Sequence, residues 1–314
     1  MTDFQYTNCL LCNSENNSNL IAHKNDQFLT KIDLPDHKVT WVVCKNCGFV
    51  YQNPRPSEDL FNEIYKKDYR ADRPSEKYFM IIGADVKERA QWIRNHFSGT
   101  SVLDIGAAAG LQMKALRSNG FEVYGIEPNR QFSRFGREKY KLDLYTGKFP
   151  RENEGRYDLI ILSHVLEHIH DPESLIRDCK KYLNPNGNLF VEIPDLESPK
   201  YDFFQAYIAS QHLYLFDLEK LEYFLNNNEF ECLAKDKGPR GIRVLARSNT
   251  TLDSNLLQSI SLWKINRIKA RFLFHRAKVY VNTLFRRLFG RYIWYDLESV
   301  REWDRQFNEV KPKG

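Results

Sequence analysis

Glycine and proline are scarce in this chain, at 15 and 12 of 314 residues, which excludes collagen-like and low-complexity architectures. No apolar run approaches the ~18 residues needed to cross a bilayer. The opening Met1-Thr2-Asp3-Phe4-Gln5-Tyr6 lacks the basic patch and apolar core of a secretory signal. Both absences predict a cytoplasmic protein. Disorder is excluded by what is plentiful: 42% of residues are hydrophobic and 14% aromatic, enough for one large domain and an appendage. Acidic residues are missing from one stretch, Leu256 to Arg291, where nine basic residues meet no acidic one. From Leu252 onward 13 Lys and Arg face 6 Asp and Glu, so the +5 charge belongs to the C-terminal part. The near-neutral remainder argues against a nucleic-acid-binding core.

Of six cysteines, four form two pairs, Cys9-Leu10-Leu11-Cys12 and Cys44-Lys45-Asn46-Cys47. In a cytosolic chain such pairs point to metal before disulfides. Four thiolates suit tetrahedral zinc, with Gly48 after the second pair allowing a tight knuckle. A redox CxxC would open a helix beside a βαβ unit, and neither pair does so. A four-thiolate zinc has no open position, so Cys9, Cys12, Cys44 and Cys47 predict a structural ion. His23 and His37 lie between the pairs and read as loop histidines or replacement ligands.

Three regions follow along the chain: 1–70 with the cysteine pairs, 71–250, and the basic 251–314. In the middle region apolar strand-like runs at Ser101–Gly106, Phe121–Glu127, Leu142–Thr146, Tyr157–Ser163 and Asn188–Ile193 alternate with helical patterns. A long helix over about Ser75–Phe97 precedes them. A helix at Asp217–Asn227 and two strands, Phe230–Ala234 and Ile242–Ala246, follow. The short join between those two strands predicts an antiparallel pair. The fold expected is α/β, a doubly wound seven-stranded Rossmann-like sheet with a small zinc module and a basic helical extension.

Val102-Leu103-Asp104-Ile105-Gly106-Ala107-Ala108-Ala109-Gly110 is the most informative stretch. A buried strand enters a turn of small residues and then a helix, which lets a nucleotide-like ligand approach the backbone at the strand's carboxyl end. Glu127, 17 residues past Gly110, ends the next strand, where its carboxylate can accept both ribose hydroxyls of an adenosine. The dinucleotide pattern GxGxxG fails at Ala108 and Leu111, whereas Asp-x-Gly-x-Gly-x-Gly fails only at Ala108. The expectation at Ala108 is a negative φ, where a methyl group is tolerated.

With Tyr157–Ile169, containing Val165-Leu166-Glu167-His168, and Leu183-Asn184-Pro185-Asn186-Gly187, this stretch resembles class I S-adenosylmethionine-dependent methyltransferases. The resemblance covers about residues 100–195. It implies that Asp104, Gly106, Ala108 and Gly110 line the methionine and ribose of the cofactor and that Glu127 holds the ribose. It also implies that Lys148 or Phe149 flanks adenine and that Ser163 and His164 sit at the mouth of the fourth strand.

Cys44–Pro56, leading into this region, resembles a branch with an N-terminal zinc-binding domain that includes sugar methyltransferases of polysaccharide and antibiotic pathways. That likeness implies a sugar or nucleotide-sugar substrate. Gln211-His212-Leu213 through Phe216 is similar to an "EHLxxF" element of zinc-containing sugar C-methyltransferases, whose histidine is catalytic. Ala209 stands where those enzymes have a tyrosine, and their large C-terminal domain is not matched, so O-methylation is preferred. His212 is the leading candidate base and His168 the next. An RNA methyltransferase using the basic tail and a non-enzymatic zinc-containing binding protein are the alternatives. For the basic helices the readings are packing on the body or on a second copy in a homodimer, contact with anionic lipid at the inner membrane face, binding of a phosphorylated substrate, or RNA.

Overall fold

The computed structural model describes residues 4–249, apart from 25, 32, 35, 69–75, 152–154 and 198–207, together with helical residues 266, 268–270, 272 and 273. Two compact units are present, Met1–Ile260 and Ser261–Gly314. The expected basic helices of Leu256–Arg291 fall almost wholly outside the described residues.

The first unit begins with β1 (Phe4–Gln5), β2 (Asn17–His23), α1 (Gln27–Lys31), β3 (Val39–Cys44), β4 (Val50–Gln52), β5 (Arg55–Pro56), α2 (Glu58–Asp68) and α3 (Glu76–His96). It continues through β6 (Ser101–Ile105), α4 (Leu111–Ser118), β7 (Glu122–Glu127), α5 (Arg130–Tyr140), β8 (Asp143–Thr146) and β9 (Tyr157–Ser163). A 3-10 turn, Leu166–His168, leads to α6 (Pro172–Tyr182), β10 (Leu183–Ile193), β11 (Tyr214–Leu215), α7 (Leu218–Asn227), β12 (Phe230–Lys237) and β13 (Ile242–Ser248).

The main sheet has seven strands in the order β12-β13-β10-β9-β6-β7-β8. Strands β8, β7, β6, β9 and β10 are parallel, and β13 runs antiparallel to both β10 and β12, as the short join required. The parallel strands are apolar on both faces. Leu103, Ile105, Ile160 and Leu162 enter one core, while Val102, Leu159 and Ile161 enter the other. Asn129, Asp171 and Asp217 cap α5, α6 and α7 by accepting backbone N–H bonds, and Pro172 occupies the first turn of α6. Near the start of β10, where its pairing with β9 shifts register between Leu183 and Asn188, Asn186 has φ 62°, a left-handed conformation that asparagine tolerates.

The N-terminal residues are built into this unit. Cys9, Cys44 and Cys47 belong to the same buried cluster as Leu103, Ile126 and Leu189. The four-stranded sheet β11-β4-β3-β2 takes its edge strand from beyond β10, with Tyr214 opposite Tyr51 and Leu215 opposite Val50. A segment far downstream in the sequence thus completes the N-terminal sheet.

Candidate active site

Strand order reverses at β6, which has β7 on one side and β9 on the other. Helices there leave to opposite faces and open a crevice at the strands' carboxyl ends. Gly106 and Gly110 have φ of 71° and 75°. A Cβ at Gly106 would come within 2.7 Å of Val165, and one at Gly110 within 2.2 Å of Leu142. Glycine is required at both positions. Ala108 departs from expectation: its φ is 48°, left-handed, and not negative. The strain is sustained because its N–H donates to Glu127 Oε2 at 2.8 Å.

Glu127 is 1% exposed. Its other oxygen, Oε1, accepts from Asn129 N at 2.7 Å, so the carboxylate ties the small-residue turn to the start of α5. A carboxylate offers about four acceptor positions, enough for these two N–H groups and two ribose hydroxyls together. Asp104 is buried, and desolvation pushes its carboxyl up to about 7 against the opposing pull of Arg89. Arg89, from α3, ion-pairs with buried Glu192 and donates to Gln112. These donors and acceptors fit the ribose and the cationic methionyl end of S-adenosylmethionine.

Lys148 and Phe149 follow Gly147, whose N–H donates to the Glu127 carbonyl. Lys148 reaches Asn62 Oδ1 at 3.5 Å, and Phe149 packs edge-on against Tyr182. The pair thus follows a glycine tied to the end of β7, while the Phe149 ring is directed to α6.

Ser163 and His164 lie at the end of β9, as expected, with His164 N donating to the Glu192 carbonyl. Burial, with Arg240 and Arg89 nearby, holds His164 well below its ordinary range. Val165 then lies over Gly106, which makes the following 3-10 turn a direct neighbour of the cofactor turn.

The two candidate base residues meet. His168 and His212 rings are 4.7 Å apart, and His168 Nε2 is 3.8 Å from Glu167 Oε1. His168 Nδ1 donates to the Gln211 carbonyl at 2.8 Å, which sets its tautomer. Burial pushes Glu167 up to about 8. Glu167 was not among the expected site residues, although its place beside His168 in the same short motif was the available signal. The segment holding His212 is gripped by the N-terminal module. Asp26 accepts from Ser210 N and Oγ, Trp41 Nε1 donates to the Ile208 carbonyl, and Gln52 Nε2 donates to the His212 carbonyl. No spacing signal announces those partners.

The four cysteines converge, with Cys9 Sγ 3.5 Å from Cys47 Sγ and Cys12 Sγ 3.5 Å from Cys44 Sγ. All four sulfurs lie within 4.8 Å of one another. Tetrahedral zinc with bonds of ~2.3 Å separates its sulfurs by about 3.8 Å, so this donor set fits the ion. The histidines between the pairs are engaged elsewhere: His23 bonds to the Ile208 carbonyl and His37 stacks on Phe4.

Sheet order, the glycine turn and the ribose-type carboxylate together define the class I S-adenosylmethionine-dependent methyltransferase fold. Residues 71–235, just over half the chain, match the family model described as a methyltransferase domain, and the chain belongs to that family. It is 25% identical over 137 residues to the ubiquinone biosynthesis O-methyltransferase of Acinetobacter baylyi, covering 40% of this chain and 57% of that one. The enzyme of the same name from Bordetella avium is 26% identical over 172 residues, covering 49% and 70%. The chain thus spans little more than half the length of the first of these relatives. The crystal structure of magnesium protoporphyrin IX methyltransferase from Synechocystis, with bound S-adenosylmethionine, superposes with a TM-score of 0.48 at 16% identity, covering 63% of this chain and 100% of that one.

Proposed function

We propose that this protein transfers the methyl group of S-adenosylmethionine to a hydroxyl oxygen, with a sugar or nucleotide-linked sugar as acceptor. The observation that carries the reading is that His212, from the segment before β11, meets Glu167 and His168 on a turn that packs, through Val165, directly over Gly106. In the reaction the acceptor oxygen forms a bond to the sulfonium methyl carbon as the carbon–sulfur pair returns to sulfur. The hydroxyl proton leaves as the bond forms, and the histidine cluster is the group that draws it off. Glu127 and Asp104 would hold the cofactor's ribose and methionyl groups beside the turn that carries Glu167 and His168.

Zinc on Cys9, Cys12, Cys44 and Cys47 would shape the module that grips the His212 segment and take no part in the chemistry. The relatives' names favour oxygen as the atom methylated. Sugar acceptance rests on the sequence likeness of Cys44–Pro56 and of the segment around His212. No helix among the described residues is long and apolar enough to cross a membrane. Contact of the basic extension with anionic lipid, or with a second copy of the chain, rests on its charge and apolar spacing.

Labelled S-adenosylmethionine offered with panels of nucleotide-sugars, glycosides, catechols and RNA tests the proposal. Label on a hydroxyl of a small acceptor is expected. His212→Ala should cut that turnover by about 10²–10⁴ while S-adenosylmethionine affinity stays within about twofold. Label on RNA alone, or full turnover by His212→Ala, would overturn it.

A further inference from the structure

The turn after β9 and the segment before β11 bring together three donors of the metal-binding kind. We propose that Glu167, His168 and His212 hold a divalent transition-metal ion, separate from the ion of the four cysteines. One ligand atom from each residue lies within 4.8 Å of the other two. An ion bonded at ~2.1 Å places its ligand atoms roughly 3 to 3.5 Å apart, so side-chain rotation of about an ångström closes the set.

The frame around these donors is already fixed. His168 gives its Nδ1–H to the Gln211 carbonyl, the outer bond that orients ligating histidines, and this turns Nε2 toward Glu167. Leu213 N donates to the Glu167 carbonyl at 2.8 Å, and Gln52 Nε2 donates to the His212 carbonyl at 3.1 Å. Both halves of the site are therefore pinned by backbone bonds.

The independent sign is Glu167 itself. The residue is 1% exposed, and neither of its carboxyl oxygens has a hydrogen-bond partner among the described residues. A buried carboxyl group facing imidazoles without a hydrogen bond calls for an occupant. Nearby His164 Nδ1, 3.5 Å from Glu167 Oε1, adds a further donor on the same side.

Two imidazoles and one carboxylate suit Zn²⁺, Fe²⁺, Co²⁺ or Mn²⁺ better than Mg²⁺ or Ca²⁺, which favour all-oxygen shells. Three protein ligands leave coordination positions open, and an acceptor hydroxyl entering one of them would become more acidic. With the ion bound, His168 and His212 are its ligands and the proton of the ion-bound hydroxyl passes to solvent, so the inference replaces direct proton transfer to the histidines and rests on the methyl-transfer reading only for the place of the acceptor.

The test uses the full-length protein carrying zinc on its cysteines, titrated with Co²⁺. A further equivalent should bind with weak ligand-field bands and without the strong sulfur-to-cobalt charge-transfer absorption of a thiolate site. Glu167→Gln, His168→Ala and His212→Ala should each weaken this equivalent by at least about tenfold. Zinc content and S-adenosylmethionine affinity, both unchanged, show that each variant is folded. Should His168→Ala lose either, His168→Gln takes its place. Protein that binds S-adenosylmethionine but no Co²⁺ beyond its cysteines would overturn the inference and leave methyl transfer standing. Binding unaltered by all three substitutions would also overturn it. Failure to bind S-adenosylmethionine would bring down the methyl-transfer reading instead.

Discussion

Replacing Glu127 with glutamine removes a charge and one acceptor while keeping the side chain's shape. In the structure each carboxylate oxygen takes a short bond, from Ala108 N at 2.8 Å and from Asn129 N at 2.7 Å. Glutamine can satisfy only one, and its NH₂ must face the other N–H. Hydrogen bonds to charged groups are worth about 1.5–3 kcal/mol, so the unliganded protein should lose about that much stability. Calorimetry should then record a melting temperature lower by several degrees. Cofactor affinity falls for a separate reason, because the ribose hydroxyls then meet a neutral amide in a turn no longer held from below. At the same scale the dissociation constant for S-adenosylmethionine should rise at least about tenfold, and that for S-adenosylhomocysteine in parallel, since both carry the ribose. Isothermal titration of both ligands against both proteins measures this. Affinity within about twofold of wild type would mean that no ribose lies at Glu127. A normal melting temperature with weak binding would refute the role given to the carboxylate in tying the turn to α5.

Ala108→Gly should relieve a left-handed alanine worth roughly 1–2 kcal/mol of strain, partly offset by the freer unfolded chain. Denaturant midpoints should therefore rise slightly with no loss of cofactor affinity, and a destabilised variant would contradict the φ of 48°. Asp104 has its folded pKa raised from 3.8 to about 7. The fold favours its protonated form, so its contribution is full below the unfolded value and is lost as pH rises toward 7. Wild type should lose up to about 4 kcal/mol relative to Asp104→Asn across that window in pH-resolved denaturation. Equal pH profiles would show that Asp104 is not held this way. Cys44→Ser should abolish binding of one zinc equivalent and speed amide exchange in 208–216 while S-adenosylmethionine still binds. Metal analysis of wild type well below one equivalent would refute the four-cysteine site.

The elements of the main sheet were legible because each is written locally. Doubly buried strands are continuous apolar runs, capped helices begin at Asn129, Asp171 and Asp217, and the two short C-terminal strands could only pair antiparallel. The turn proposed to hold the cofactor was legible for the same reason. Gly106, Gly110 and Glu127 act through the backbone of one strand–turn–helix–strand unit, and local spacing carries that information. Ala108 marks the limit of such reading, since the sign of its φ depends on the hydrogen bond to Glu127.

The proposed acceptor side belongs to tertiary structure. His168 follows β9, His212 lies in a segment 44 residues later, and the groups that hold that segment, Asp26, Trp41 and Gln52, come from the opposite end of the chain. By itself the sequence determined the sheet, the cofactor turn and the four thiols, whose signals are short-range periodicities and pairs. Only the folded chain decided that the N-terminal sheet would take Tyr214–Leu215 as its edge strand and so set His212 beside Glu167 and His168. That choice depends on which distant surfaces bury each other's apolar faces and satisfy each other's backbone, and no local pattern encodes it.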